Sequence, residues 1–322
     1  MKVLVTGGAG FIGSNLVDAL IERGDEVVVL DNLTTGRRAN LEPAQSRGAK
    51  LVVEDIRDSD LVAELLGQEK PEVVFHLAAQ IDVRVSTARP AFDAEINVIG
   101  TINMLEAARL AGTRRFVYAS TGGAIYGETD VVPTPEDTVI RPEAPYGQAK
   151  FAGEGYLGLW SRMHDLSTVS MRFGNVYGPR QDPLGEAGVI AIFCGKLETG
   201  GQPTVFGDGS QTRDYVFVED VVRACMAAGD SDVTGSYNVG RGEEVSVLDI
   251  VDSLRELGVE LGTLSGDRTF EAQFAPARLG EVARSALDPT RSTEALGFTA
   301  GVELTEGLRR TLQFVAHAQA AA

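Results

Sequence analysis

Cysteine is almost absent from this chain of 322 residues, which contains only Cys194 and Cys225. Two distant cysteines exclude a small scaffold held together by disulfides, and they lack the CxxC spacing of a zinc site. The three histidines, His76, His164 and His317, show no HExxH spacing either. We therefore expect a protein of a reducing compartment, and we predict no metal centre.

Long apolar runs and an excess of basic charge are also missing. No stretch approaches the ~18 uncharged apolar residues that span a bilayer, and the opening MKVLVTGGAG is too short an apolar run for a secretion signal. Acidic residues number 46 against 29 basic ones, so the net charge is −17, which argues against binding nucleic acid or anionic membranes. Hydrophobic residues make up 43% of the chain, an ordinary globular value. We expect a cytoplasmic globular protein that binds small molecules.

The first half of the chain alternates short Val-rich runs with helical patterns, which is typical of a doubly wound parallel sheet. Each run is apolar throughout, as expected for a strand buried on both faces. The predicted strands are KVLVTG, EVVVLDN, KLVVEDI, EVVFHLAA, RRFVYAS and Thr168–Phe173, and the predicted helices span about 12–23, 58–67, 91–111 and 145–164. The fold class is therefore α/β, with a Rossmann-like sheet.

Glycine and proline become frequent after Asn175, in NVYGPRQDP, TGGQP and FGDGSQ. This change predicts a Rossmann domain over 1–173, with returning segments near 214–242, and a smaller substrate-binding lobe mainly over 174–322. Further elements are predicted as a helix at 219–229, a strand at SYNVG, a helix at 246–257 and helices from about 289 and 303.

A glycine-rich turn, TGGAGFIG, joins the first predicted strand to the first helix. Gly7 would permit the tight turn, Gly10 would let a pyrophosphate approach the backbone, and Gly13 would let the helix pack on the strand. The helix N-terminus then offers free N–H groups to the anion. The pattern favours a dinucleotide site, although a glycine pattern by itself is also found in tightly packed turns.

Acidic residues end the second and third predicted strands. Asp31 lies eighteen positions after Gly13, where a carboxylate can accept both hydroxyls of an adenosine ribose and repel a 2′-phosphate. This favours NAD over NADP, while Arg37 and Arg38 are the counter-argument, because either could pair with that phosphate. Asp55 and Ile56 are candidates for the amino group and the face of the adenine.

A tyrosine and a lysine stand four residues apart at the start of the helix predicted over 145–164. Tyr146 and Lys150 share one face of that helix, where the positive charge of the ammonium favours the phenolate. The pair is therefore a candidate acid/base. Upstream, Ser120 and Thr121 end the fifth strand at the carboxyl edge of the sheet, where either hydroxyl could bridge a substrate oxygen and the phenol.

These motifs together resemble the extended short-chain dehydrogenase/reductase superfamily over nearly the whole chain. The resemblance is carried by TGGAGFIG, Asp31, HLAAQ (76–80), the Ser/Thr pair and the YxxxK pattern. RFGNVYGPRQDP (172–183), FGDGSQTRDYVFVEDV (206–221) and RLGEVARSALD (278–288) resemble the nucleotide-sugar branch, and the nearest family is UDP-glucose (UDP-galactose) 4-epimerase.

The resemblance implies an NAD-dependent enzyme that interconverts UDP-hexoses through a 4-keto intermediate. Tyr146 would be the acid/base, Lys150 would position it, and Thr121, which aligns when counted from the strand, would be preferred over Ser120 as the hydroxyl partner. NAD contacts are implied for Gly7, Gly10, Phe11, Ile12, Gly13, Asp31, Asn32, Asp55, Ile56, Leu77, Ala78, Ala79, Tyr146 and Lys150.

The same resemblance implies the substrate contacts and an assembly. Asn175 would touch the UDP-sugar, and Arg213 and Arg278 would pair with its diphosphate. Ser285 stands where relatives that reject N-acetylated sugars tend to have a tyrosine, so these sugars would also be accepted. Helices 91–111 and 145–164 would form the interface of a homodimer.

Two other functions are weighed against epimerisation. Nucleotide-sugar dehydratases carry an Asp-Glu pair after the active-site threonine, and decarboxylases generally carry an acid there, whereas this chain has Gly122 and Gly123. A noncatalytic NAD sensor would not need the set formed by Thr121, Tyr146 and Lys150. An assay of UDP-glucose and UDP-galactose interconversion separates the three functions.

Overall fold

Our computed structural model describes residues 1–183, 188–277 and 282–320 of the chain. Its strands are β1 (Lys2–Thr6), β2 (Glu26–Leu30), β3 (Lys50–Val52), β4 (Val73–His76), β5 (Arg115–Thr121), β6 (Ser167–Phe173), β7 (Asn175–Tyr177), β8 (Thr204–Phe206), β9 (Thr212–Arg213), β10 (Tyr215–Phe217), β11 (Gly235–Val239), β12 (Val245–Ser246) and β13 (Gln273–Ala275). Seven of them form a parallel sheet in the order β11-β6-β5-β4-β1-β2-β3. The predicted Rossmann-like sheet is confirmed.

The helices connect these strands on both sides of the sheet. They are α1 (Phe11–Arg23), α2 (Glu42–Gln45), α3 (Ser59–Glu69), α4 (Val83–Ala88), α5 (Pro90–Ala94), α6 (Thr101–Ala111), α7 (Pro145–Met163), α8 (Val189–Thr199), α9 (Val218–Asp230), α10 (Val247–Glu260), α11 (Thr290–Leu296) and α12 (Leu304–Ala320). A 3₁₀ turn spans Arg38–Leu41, and a π-helical segment spans Glu95–Gly100. None of the described helices is long and apolar enough to cross a membrane.

The π-helical segment divides the element that the sequence predicts as one helix over 91–111. The side chain of Asn97, in this segment, accepts from the backbone N–H of Gln80 (2.9 Å) and donates to the carbonyl of the same residue (2.8 Å). A π-helical turn contains one residue more than an α-turn and is common at functional sites. Here it coincides with the residue that pairs with the loop after β4.

The sheet is buried on both faces because its strands alternate between two hydrophobic clusters. In β1, Val3 and Val5 belong to the cluster under α1 and α9, whereas Leu4 belongs to the cluster under α3, α6 and α7. All three side chains are fully buried. The Val-rich runs in the sequence therefore reflect burial on both sides.

A separate hydrophobic cluster lies under α8, α10 and α12 in the second half of the chain. The short strand pairs β7–β10, β8–β13 and β9–β12 belong to this half too. The chain nevertheless returns to the main sheet, since β11 pairs with β6 along its whole length and α9 packs on α1. The division into two domains at residue 173 stays a prediction.

The edge formed by β11 is fixed by a buried arginine. Arg115, at the start of β5, is completely buried and donates to the carbonyls of Ala228 (2.8 Å) and Val233 (2.7 Å). It also donates to the hydroxyls of Ser167 and Ser231. One side chain thus ties the end of α9 and the approach to β11 to the centre of the sheet.

Candidate active site

The glycine turn after β1 is closely packed on the loop that follows β4. Gly7 adopts a left-handed conformation (φ 68°), and a Cβ there would lie 2.7 Å from the backbone nitrogen of Ala78. A Cβ on Gly13 would lie 2.2 Å from the carbonyl oxygen of Gly7. Gly10 caps α1 without a side-chain hydrogen bond, so the first N–H groups of the helix stay available to an anion. The turn thus provides an open cradle between Gly7, the helix start and Leu77–Ala79, as NAD requires.

Asp31 lies directly behind this turn at the end of β2. It is buried and accepts from the backbone N–H groups of Ala9 (2.9 Å) and Leu33 (2.8 Å). These bonds orient the carboxylate, and its remaining lone pairs can accept ribose hydroxyls. Arg37, weighed above as a partner for a 2′-phosphate, forms an ion pair with Asp182 instead.

Asp55, which is predicted to contact the adenine, belongs to a polar cluster after β3. Asp55 receives two hydrogen bonds of 2.9 Å from the guanidinium of Arg57 and one of 2.9 Å from Asn32. These bonds, chiefly those from Arg57, lower the pKa of Asp55 to about 2, so it is ionised at neutral pH. The neighbouring side chain of Ile56 is buried against Gly100.

His76 connects the glycine turn, β4 and the π-helical segment through hydrogen bonds. The hydroxyl of Thr101 donates to the carbonyl of Asn97 (2.8 Å), so it accepts from Nε2–H of His76 (3.1 Å). Nδ1 then accepts from the Thr6 hydroxyl (2.7 Å), which itself accepts from the N–H of Ala78 (3.1 Å). Burial lowers the pKa of His76 to about 3, so the imidazole is neutral.

Tyr146 and Lys150 lie in the first two turns of α7, beside the carboxyl end of β5. Lys150 is 3% exposed, donates to the carbonyl of Ala119 (2.9 Å) and has its Nζ 4.7 Å from the ring centre of Tyr118. Burial lowers the pKa of Lys150 to about 8, although the charges of Asp93 and Glu154 oppose this change. Burial also raises the pKa of Tyr146. The phenol is therefore protonated by default and needs nearby positive charge to act as a base.

The two hydroxyls at the end of β5 have different surroundings. Ser120 is buried and donates to Glu154 on α7 (2.6 Å). Glu154 also receives a bidentate pair of hydrogen bonds from Arg172, and both side chains of this ion pair are about 95% buried. Thr121 is the next residue on the strand and is half-buried. Ser120 is thus engaged in a buried network, which supports Thr121 as the active hydroxyl.

The loop after Thr121 brings the other candidate residues to this end of the sheet. A Cβ on Gly122 would lie 2.3 Å from Leu287, and a Cβ on Gly123 would lie 3.5 Å from Oδ1 of Asn175. Likewise, a Cβ on Gly147, next to Tyr146, would lie 2.2 Å from the carbonyl oxygen of Ala124. The start of α7, the loop after Thr121 and Asn175 therefore lie close together at this end of the sheet.

The substrate residues predicted farther along the chain lie beside a cavity. Arg213 lies in β9, and the backbone N–H of the preceding Thr212 donates to the carbonyl of Ala283 (3.0 Å). Ser285 is half-buried two residues later, while Arg278 lies outside the described residues. Beside them is a cavity of about 390 Å³, lined by Phe206, Gly207, Asp208, Ser210, Gln211, Ala277, Val282, Ala283 and Arg284.

Three acidic groups around the site are absent from the sequence-based predictions. Asp214 is buried and accepts from the N–H groups of Arg241, Gly242 and Leu287. Asp93 is 1% exposed, and no hydrogen-bond partner is found for its Oδ2 among the described residues. Glu154 is the third. It could have been found from the sequence, because it continues the i, i+4 series of Tyr146 and Lys150 and so lies on the same face of the helix.

The comparisons with known proteins agree with this geometry. The model of the NAD dependent epimerase/dehydratase family matches residues 3–240. UDP-glucose 4-epimerase of Mycolicibacterium smegmatis is 48% identical over 316 residues, which cover 98% of each protein. Two solved UDP-glucose 4-epimerases, each 42% identical, cover 99% of this chain and match over 100% of their own. They come from Thermotoga maritima, with UDP-glucose (TM-score 0.93), and from Thermus thermophilus, with NAD (TM-score 0.90).

These findings confirm the resemblance stated from the sequence and the prediction of NAD as the cofactor. The match extends over both halves of the chain, because the relatives are covered from end to end. The chain therefore belongs to the NAD dependent epimerase/dehydratase family.

Proposed function

We propose that this protein is a UDP-glucose 4-epimerase, which interconverts UDP-glucose and UDP-galactose. The observation that carries the proposal is the combination of Tyr146 and Lys150 on α7 with two glycines, Gly122 and Gly123, at the positions directly after Thr121. Leu287 fills the space beside Gly122, so a carboxylate cannot be accommodated there without displacing it. Elimination of water needs an additional acid/base group near this position. The site is therefore less suited to the dehydratase reaction than to epimerisation.

The cofactor site fits NAD on structural grounds. A Cβ on Gly7 or Gly13 would clash with the backbone of Ala78 or Gly7, so the tight turn depends on these glycines, and the uncapped start of α1 can bind the pyrophosphate. We assign Asp31 to the adenosine ribose, Asn32, Asp55 and Ile56 to the adenine side, and Lys150 to the nicotinamide ribose. When bound, NAD supplies a reversible hydride acceptor and a positive charge near the phenol.

The residues of the chain then have distinct tasks. Tyr146 removes the proton of the sugar 4-hydroxyl and returns it when the ketone is reduced on the opposite face. The ammonium of Lys150 stabilises the phenolate, and the hydroxyl of Thr121 donates to the sugar oxygen. Epimerisation then requires the 4-keto sugar to turn over while its nucleotide stays bound.

We assign the nucleotide of the substrate to the cavity beside β9. Phe206 offers an aromatic surface for a base, Gln211 offers amide groups for its edge, and Arg213 is suited to the diphosphate. The backbone N–H of Asn175 donates to the carbonyl of Asp214 (2.7 Å), next to Arg213, and its Oδ1 lies near Gly123 in the loop after Thr121. Asn175 is therefore assigned to the bound UDP-sugar. Arg278 keeps its predicted role as a second arginine for the diphosphate.

An assay with the purified protein tests the proposed function. Incubation with UDP-galactose should produce UDP-glucose without added oxidant or reductant, because the hydride is returned within one cycle. Accumulation of a 4-keto-6-deoxy sugar would instead identify a dehydratase. NAD binding with no turnover of either UDP-hexose would favour a sensor.

The two strand-end hydroxyls provide a matched pair of variants. Thr121→Val keeps the shape of the side chain but removes its hydroxyl, and we expect kcat to fall by about 10–100-fold through the loss of one donor to the reacting oxygen. Ser120→Ala removes a hydrogen bond to Glu154 instead. It should change kcat less than threefold, because that bond does not involve the reacting oxygen. Steady-state kinetics decide between them, and the reverse order would assign the role to Ser120.

The acid/base pair should respond to pH through Lys150. Its ammonium is present below a pKa of about 8, so activity should fall as the pH rises through this value. The charged or titratable groups around it are His76, Tyr118, Tyr146, Asp93 and Glu154, and both carboxylates raise its pKa.

Asp93→Asn removes one of these carboxylates, so the alkaline limb of kcat/KM should move to lower pH. Glu95→Gln changes the same charge at an exposed position two residues away and should leave the profile in place. Identical profiles for Asp93→Asn and the wild type would show that Asp93 does not act on Lys150.

The sugar pocket yields a prediction about substrate choice. We assign Ser285 to the space near the sugar 2-position, so the small side chain would admit an acetamido group. Ser285→Tyr should lower the efficiency for UDP-N-acetylglucosamine relative to UDP-glucose by about tenfold or more, because overpacking costs ~1–3 kcal/mol. Ser285→Ala keeps the space and should keep the ratio. An unchanged ratio in Ser285→Tyr would contradict the assignment.

We also propose that the protein is a homodimer, assembled through α6, α7 and the π-helical segment. Phe151, Leu159 and Met163 are exposed on one face of α7, and Ile99 and Leu110 are at least half exposed on the neighbouring element. A second copy would cover this apolar surface. Light scattering should give twice the chain mass, and Met163→Asp should shift it towards the monomer.

A further inference from the structure

A loop from the second half of the chain contacts the helix that begins at the glycine turn. This loop comprises residues 178–183 and directly follows β7, which contains Asn175. The carbonyl of Pro179 accepts from Nδ2 of Asn15 (3.2 Å), and Arg180 forms an ion pair with Asp18 (2.6 Å). Both partners lie on α1, in the two turns after the proposed pyrophosphate site.

The same loop is attached to the opposite wall of the dinucleotide site. Asp182 forms an ion pair with Arg37, which follows the ribose carboxylate Asp31. The backbone N–H of Arg37 donates to the carbonyl of Ala9 in the glycine turn (3.0 Å). The 178–183 loop is therefore joined both to α1 and to the segment after β2, on the two sides of the turn.

The loop is held in a defined shape between these attachments. Arg180 adopts a left-handed conformation (φ 74°), which non-glycine residues keep only where surrounding contacts fix them. Its side chain is 18% exposed, and the side-chain amide of Gln181 donates to the carbonyl of Val176 (3.2 Å). The contacts of Arg180 and Gln181 thus connect the loop to α1 and to β7.

We propose that the 178–183 loop is a strap that retains NAD, with Arg180 and Asp182 as its anchoring residues. An epimerase must keep the reduced cofactor until the hydride has been returned, so slow release serves the reaction directly. The strap is part of the same segment as Asn175, which links cofactor retention to the sugar-nucleotide side. The inference rests on the proposed function, but it concerns the rate of NAD release and not the chemistry.

The test measures how fast NAD leaves the purified holoprotein. Protein is diluted into buffer containing an NAD-consuming trap, and the dinucleotide still bound is quantified over time after filtration and denaturation. Arg180→Ala should release NAD about three- to tenfold faster than the wild type, the effect expected for one partly buried ion pair. Asp182→Asn removes a more exposed contact and should have a smaller effect in the same direction. The exchanged variant Asp18→Arg/Arg180→Asp should recover part of the lost retention.

Arg309→Ala is the matched control, because it breaks an ion pair with Glu260 (2.6 Å) that involves neither the loop nor the glycine turn. Its release rate should equal that of the wild type. Equal rates for Arg180→Ala and the wild type would overturn the strap, as would an equal acceleration in the control. A wild-type protein that retains NAD but shows no epimerisation would overturn the proposed function alone.

Discussion

Replacing Tyr146 with phenylalanine should lower kcat for the interconversion of UDP-glucose and UDP-galactose by about 10²–10⁴-fold, the usual contribution of a positioned acid/base. The phenolic oxygen is the only group that the substitution removes, and the ring keeps its place in the first turn of α7. NAD content and the thermal midpoint should therefore stay at wild-type values. Steady-state kinetics, together with quantification of bound NAD, measure both parts of this prediction.

Tyr156→Phe is the appropriate control for this variant. Tyr156 lies on the same helix and packs edge-on against Trp160, with ring centres 6.1 Å apart. Its hydroxyl has no part in the proposed chemistry, so kcat should remain within about twofold of the wild-type value, as for most substitutions outside an active site. Near-wild-type kcat in Tyr146→Phe would remove the basis for the acid/base assignment.

Arg172→Met should destabilise the protein by about 3–5 kcal/mol, because it leaves the carboxylate of Glu154 buried without its counter-charge. The guanidinium also donates to the hydroxyl of Tyr126 (2.8 Å) and to the carbonyl of Glu136 (3.1 Å), and both bonds would be lost. Urea unfolding, followed by circular dichroism, measures the free energy of unfolding.

The double variant Glu154→Leu/Arg172→Met tests the reason for this loss. It removes both charges, so it should regain a large part of the stability lost in the single variant, since paired buried charges are often replaceable by apolar groups. A loss below about 1 kcal/mol in Arg172→Met, the range of exposed ion pairs, would show that water reaches this pair.

The fold was predictable because its signals are local and repeated. Each Val-rich run is bounded by a turn, and the glycine spacing marks the connection between β1 and α1. The π-helical segment was not predictable, because it coincides with bonds from Asn97 to the backbone of Gln80, 17 positions earlier in the chain, and local sequence patterns do not show such a contact. Helical periodicity in the sequence shows the apolar face of 91–111, but it does not show that one turn contains an extra residue.

The candidate site was predictable only where a motif has fixed spacing. Tyr146 and Lys150 meet on one helix face by geometry, but the choice between Ser120 and Thr121 depends on where each strand-end side chain finds a partner. Glu154 engages Ser120 across 34 residues of sequence. Asp93 and Asp214 carry no motif, and their importance comes from burial, which sequence patterns do not record.

The last strand of the sheet also constrains the order in which the protein can form during synthesis. When residue 173 has left the ribosome, β6 exposes an unpaired edge, since its neighbour β11 follows only at Gly235–Val239. Arg115 likewise cannot form its hydrogen bonds to the carbonyls of Ala228 and Val233 until those residues have been synthesised. An open edge of this kind can pair with other nascent chains. Completion of the nucleotide-binding sheet must therefore wait until most of the chain has been translated.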